Sequence, residues 1–243
     1  MWSDEATIRG AASWVRHLTR EGFVMIIRRL LAGCLVAAPV LLCAAEVARL
    51  SISEASGEAG RMAAIAAERG TWETFAWLTL ATSMAWLGAA LGLVEALRAL
   101  NPRAAWIGGV VAVTGAVAFA MHQMQYVELN AVLSSSPDYI KAVEEHGIDG
   151  TAMEDATIVI QLVGLWLGPI ILVAALARAG TMAWWKFACV PIWVVLFVFT
   201  GSISPVSSAI HLILLPPFLA VAHSLVQTEP LGDRARQTVG HEK

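Results

Sequence analysis

The chain has 243 residues, 58% of them hydrophobic and only 14% charged, with a formal net charge of −3. Ordinary soluble domains carry about 25% charged residues, so this composition excludes a typical soluble enzyme. A mildly acidic chain with few basic residues also offers nucleic acid no electrostatic footprint.

The first 21 residues predict an amphipathic interfacial helix. Ser3 is placed to cap it, Asp4 and Glu5 fall in the first turn, and Ile8, Ala12, Val15 and Leu18 recur at helical spacing. Trp2 and Trp14 suit a headgroup region, and Arg9, Arg16 and Arg20 suit an anionic leaflet. Gly22 is expected to separate this helix from the first apolar span.

Six long apolar segments come next, near residues 22–46, 72–98, 104–126, 156–178, 181–200 and 206–227. An apolar helix of about 20 residues crosses a hydrocarbon core roughly 30 Å thick. The expected fold is therefore all-α: a polytopic membrane protein with six transmembrane helices in one bundle. The domains are an interfacial segment (1–21), the transmembrane domain (22–228) and a polar tail (229–243). Leu31-Ala32-Gly33-Cys34 has the outline of a lipoprotein box. However, only Leu30 and Leu31 separate Arg29 from Ala32, far short of the apolar stretch of about 7–15 residues that such a signal needs. Arg28-Arg29 is better read as an anchor for the end of the first span. Cys34, Cys43 and Cys189 all fall within spans, with no CxxC pair, and read as small packing residues.

The connections alternate in length. Residues 51–71 have room for a short helix ending before Gly70. Asn101-Pro102-Arg103 and Arg178-Ala179-Gly180 are tight, forcing their flanking spans to run antiparallel. In the connection 127–155, Ser136-Pro137-Asp138 predicts a cap, a first-turn proline and a first-turn acid for a helix reaching His146 and stopping at Gly147. Thr151 and Glu154 have capping-box spacing ahead of the fourth span.

With the N-terminus cytoplasmic, twelve of the 16 Lys and Arg residues lie inside and four outside, the bias that orients membrane proteins. An even number of spans brings the C-terminus inside as well. The expected location is the bacterial cytoplasmic (inner) membrane, with both termini cytoplasmic and an acidic outer face. Gly88/Gly92 and Gly164/Gly168 form GxxxG pairs, and Gly108, Ala112 and Gly115 lie on one stripe; all read as close helix contacts within the chain. Pro169, Pro191 and Pro216-Pro217 should kink the last three spans.

Ionisable and amide side chains in spans are costly and usually face the bundle interior or water. Fixing the orientation sorts them by depth. His122, Gln125, Tyr126, Gln161, His211 and Glu46 gather near the outer surface, as a candidate binding pocket. Glu95 and His223, with Lys186 nearby, form a secondary inner polar pair. Tryptophans 106, 184 and 185 suit an interfacial belt, and 86 and 166 suit the core. Two imidazoles on different helices could ligate haem or a metal, and Met121 and Met124 beside His122 could add thioether ligands for copper. No paired spacing such as HxxxH reinforces either cofactor, so the metal and catalytic assignments are none. The chain also lacks a Walker loop, HExxH, GxSxG and inverted repeats.

Arg28-Arg29-Leu30-Leu31-Ala32-Gly33, Pro39, Glu46 and Pro216-Pro217-Phe218-Leu219, with the span layout, resemble uncharacterised six-span integral membrane proteins of high-GC bacteria. That resemblance implies fold and membrane, and no activity or functional residue. The expected function is a non-enzymatic accessory or partner-binding subunit, or a small-solute conduit of transporter type, with an outward-facing polar pocket. The partners would be the lipid bilayer and another membrane protein. The alternative is a membrane-embedded enzyme or a metal or haem redox protein using His122 and His211.

Overall fold

A computed structural model describes residues 4–53, 57–146, 152–200 and 204–227; for 4–21, 51 and 53 it describes the backbone only. All the described regular structure is helical: α1 (Asp4–Ser53), α2 (Gly57–Ala67), α3 (Arg69–Leu97), α4 (Pro102–Leu133), α5 (Pro137–His146), α6 (Ala152–Arg178), α7 (Trp184–Thr200) and α8 (Pro205–Ala209), then a 3-10 turn (Ile210–Leu214) leading into α9 (Leu215–Gln227).

Among the described residues, five segments are long and apolar enough to cross a membrane: 22–50 within α1, α3, α4, α6, and the 205–227 run through α8, the 3-10 turn and α9. The fifth of the six expected spans is shorter. Helix α7 has 17 residues, about 25 Å at 1.5 Å per residue, and it starts at Trp184 because Gly180 and the turn after it occupy the first residues of the apolar run.

The surface supports the membrane reading. Phe23, Ile26, Leu30, Trp77, Ile107, Val159 and Phe199 are all exposed. Meanwhile Thr79, Thr82, Ser83, Asn130 and His211 are buried. An apolar exterior of this extent would be an association hazard in water and is the natural surface toward lipid.

The expected break at Gly22 is absent: α1 runs through it without interruption. A mid-helix glycine costs only about 1 kcal/mol, and long helical flanks on both sides outweigh that. The Ser3 cap, the stop at Gly147, the Thr151 capping box and the tail 229–243 lie outside the described residues.

Local signals elsewhere set the helix ends. Asn101 Oδ1 accepts from the Ala104 amide at 3.1 Å with Pro102 at the first helical position. Helix α6 closes on Gly180, whose φ of +74° only glycine adopts freely. There the Thr181 and Gly180 amides donate to the Leu176 and Ala177 carbonyls, a Schellman closure. Ser136 Oγ accepts from the Tyr139 amide and starts α5 at Pro137.

Pro169 and Pro191 sit inside unbroken helices. Pro216-Pro217 acts differently. Neither proline has an N–H for the carbonyl four residues earlier, and the chain just before them tightens into the 3-10 turn 210–214. His211 is carried on that turn.

The glycine stripes make contacts within the chain. A Cβ on Gly88 would strike Cys34, and one on Gly92 would press on Leu35, so α3 lies close along α1. Gly115 and Gly164 face each other backbone to backbone, and Gly168 meets Ala112, which presses α4 against α6. Leu35, Ala38, Leu93, Leu172, Leu214 and Phe218 fill the main core. A second cluster, including Ile52, Met62, Ile65, Trp72 and Phe75, lies where α2 and α5 cover one end of the bundle, the capped end.

Candidate functional site

In the half of the bundle nearer the capped end, α1, α3, α4, α6, α7 and the 3-10 turn surround a cavity of about 80 Å³. Its wall mixes two chemistries. Phe75, Trp86, Phe119, Trp166, Trp193 and Phe197 supply rings, and Glu46, Thr79, Thr82, Gln123, Gln161 and His211 supply polar groups.

The 3-10 turn fixes His211 from one side and α7 from the other. Trp193 Nε1 donates to His211 Nδ1 at 3.0 Å, with both side chains buried. An indole N–H can only donate, so Nδ1 must be the acceptor. The imidazole is therefore held neutral with its proton on Nε2. Trp86 stacks on Trp193 with ring centroids 6.0 Å apart and meets Phe218 edge-on, which sets the position of the indole.

Helix α3 carries three hydroxyls in close succession. Thr82 and Ser83 donate back to the carbonyls of Leu78 and Thr79, as hydroxyls buried in helices commonly do. Thr79 does not: its Oγ1 is buried without a partner, as are Trp86 Nε1 and Gln161 Oε1. A buried polar atom left unpaired costs about 1–3 kcal/mol, and all three belong to residues that line this one small cavity.

Glu46 accepts from Arg49 Nη2 at 3.1 and 3.4 Å. The Arg49 guanidinium in turn lies over Phe75 at 5.4 Å and over Tyr126 at 5.8 Å. Arg61 of α2 approaches the Tyr126 ring at 6.0 Å. This cationic and aromatic layer sits one turn of α1 from Glu46, on the capped-end side.

The six candidate residues of the outer set divide. Glu46, Gln161 and His211 line the cavity; His122, Gln125 and Tyr126 do not. Gln125 is exposed, Tyr126 belongs to the capping cluster, and His122 is half-buried with Nδ1 unpaired. His122 and His211 thus share no cavity wall. Among the described residues, no three His, Cys, Asp or Glu side chains gather as a metal site requires.

The expected inner pair also does not form. Glu95 pairs with Arg28 at 3.1 Å and with Arg98 at 2.6 Å, while His223 is exposed. Two guanidiniums outcompete an imidazole for one carboxylate because they carry a permanent charge and a forked set of donors. Lys186 lies over the Trp185 ring at 5.7 Å.

Sequence reasoning missed Gln123, Thr79 and Trp193. The signal for Gln123 is present: the small and apolar stripe Ala112, Ala116, Phe119 steps by four and three to position 123, one residue past His122. Thr79 and Trp193 carry no sequence mark that separates them from packing residues.

No family model, curated protein or solved structure matches this chain.

Proposed function

We propose that the chain is a six-span integral protein of the bacterial inner membrane. In this reading both termini are cytoplasmic, the capped end faces outward, and the chain is a non-enzymatic conduit for a small polar solute that binds in the cavity. The observation that carries the reading is that Thr79, Trp86 and Gln161, each with a buried unpaired polar atom, line one cavity inside an otherwise apolar bundle. Structural economy alone would have filled that space with apolar side chains.

Three further features support it. The wall draws on most of the long helices, so small relative motions of the helices change its access. The 3-10 turn at 210–214 is a mid-helix irregularity of the kind found at hinges. The basic residues divide as an inward uncapped end requires, with Arg28, Arg98, Arg103, Arg178 and Lys186 on that side. Helix α7 would serve as the sixth span, its shortness met by local thinning of the bilayer.

The test is osmotic. Liposomes reconstituted with the full chain should take up a small uncharged solute faster than protein-free liposomes, read as reswelling by stopped-flow light scattering. Gln161→Phe, which places a ring in the cavity, should return the rate to the protein-free value. A reconstituted rate no higher than that of empty liposomes would remove the conduit reading.

A further inference from the structure

We infer that the cavity selects a small, uncharged molecule that both donates and accepts hydrogen bonds, of the primary-amide class, and rejects ions of the same size. This inference rests on the solute-binding reading above and adds the chemical class of the solute.

Charge is the first argument. Among the described residues, Glu46 is the only carboxylate on the wall, and it is already matched by Arg49. The only imidazole is neutral, because its Nδ1 accepts the Trp193 N–H. The described wall therefore carries no uncompensated charge. An ion entering would exchange its hydration shell for a few neutral dipoles, the exchange that burial penalises most heavily.

Donors and acceptors on the wall are balanced as well. Trp86 Nε1–H is a donor without a partner, and with His211 Nδ1 accepting from Trp193 its Nε2–H is left to donate. Gln161 Oε1 is an unpaired acceptor, and Thr79 Oγ1 can accept as well as donate. Trp86, His211 and Thr79 are 2%, 2% and 3% exposed, so water outside the bundle does not serve them. A primary amide meets both halves of this set. Its carbonyl oxygen has lone pairs to match the Trp86 and His211 N–H groups, and its amino hydrogens match the Gln161 and Thr79 acceptors. A carboxylate of the same shape has no hydrogens to give Gln161, and an amidinium has no lone pair to give Trp86 or His211.

Size and wall complete the fit. A cavity of about 80 Å³ admits a few heavy atoms, far below the roughly 300–1,000 Å³ of pockets for larger ligands. The Phe119 and Phe197 rings offer a short alkyl end an apolar surface.

The experiment uses three near-isosteric probes that differ in charge: acetamide, acetate and acetamidinium. Saturation-transfer-difference NMR on the full chain in nanodiscs reads the methyl signal of each and suits weak ligands. We expect acetamide to bind at least about five-fold more tightly than either ion, the factor that one unmet hydrogen bond produces. The acetamide signal should fall by a similar factor in Thr79→Val, which keeps the side-chain shape, and in Gln161→Leu. Unfolding temperature, recorded on each variant, shows that it is folded. Acetate or acetamidinium binding as well as acetamide, with the same sensitivity to the variants, would overturn the class and leave the solute site standing. Absence of a variant-sensitive signal from all three probes would mean that the cavity holds only water, and would overturn both.

Discussion

The Trp193–His211 hydrogen bond is the contact on which the cavity's chemistry turns, and its strength can be worked out before measurement. The two side chains are 3% and 2% exposed, and the bond is 3.0 Å long. Trp193→Phe removes the donor and leaves His211 Nδ1 buried without a partner, at about 1–3 kcal/mol. The smaller ring also loses packing against Trp86 and Phe197, for a total of roughly 2–4 kcal/mol. His211→Leu orphans the Trp193 N–H instead, at a similar cost for the unpaired group. The double variant leaves neither partner stranded, so its loss should fall short of the sum by about 1–2 kcal/mol. Cys34, Cys43 and Cys189 are only partly exposed in the folded chain, so unfolding in detergent can be followed with a thiol-reactive fluorophore. At about 2–4 °C per kcal/mol for a domain of this size, Trp193→Phe should lower Tm by roughly 4–16 °C. Additivity of the two variants to within about 0.5 kcal/mol would refute the reasoning, because it would mean that the two groups do not depend on each other.

Three other outcomes are set by the packing and the charges. Gly164→Ala forces a methyl into the Gly115 backbone and should cost at least about 1–3 kcal/mol, whereas Gly70→Ala, with nothing within 4 Å, should be neutral or slightly stabilising; thermal unfolding compares them. Glu95→Gln removes the charge that two guanidiniums share, so it should destabilise more than Arg98→Gln, whose side chain is 61% exposed and contributes well under about 1 kcal/mol; raising salt should narrow the difference. Thr79→Val removes an unpaired hydroxyl and should leave Tm unchanged or raise it by up to a few degrees, about 0.5–1 kcal/mol, while weakening solute binding; a clear loss of stability would show that the hydroxyl is satisfied in the folded state.

Much of the fold is legible in the sequence because its signals are local. The tight connections at 101–103 and 178–180, the Ser136-Pro137 start and five of the six apolar runs each rest on local sequence, and each is found among the described residues. The glycine pairs announce close helix contacts for the same reason. Local signal misleads where a wider context competes with it. Gly22 reads as a break only while the cost of a glycine is not weighed against helix on both sides. Hydropathy alone extends span five over 181–200, although the turn after Gly180 takes its first residues.

The candidate site is half legible. Depth along the spans can be counted from sequence, so Glu46, Gln161 and His211 fall at one level. Rotation about a helix axis is harder to fix. One residue of error is about 100°, enough to exchange Gln123 for His122. Depth alone pairs Glu95 with His223, yet Arg28 on the neighbouring helix already holds the carboxylate. Nothing in sequence spacing distinguishes Thr79 from Thr82 and Ser83; only the hydrogen-bond geometry does.

The most direct test of the account is access to Gln161. In a chain with its three cysteines replaced by alanine and reconstituted in liposomes, Gln161→Cys and Val163→Cys can be treated with a small, uncharged methyl thiosulfonate. Position 161 lines the cavity, and Val163 is 46% exposed on the apolar surface. Modification is expected at 161, slowed by acetamide, and far more slowly at 163, where lipid suppresses the reactive thiolate. Equal labelling of both positions, or none at 161, would contradict the solute-site reading.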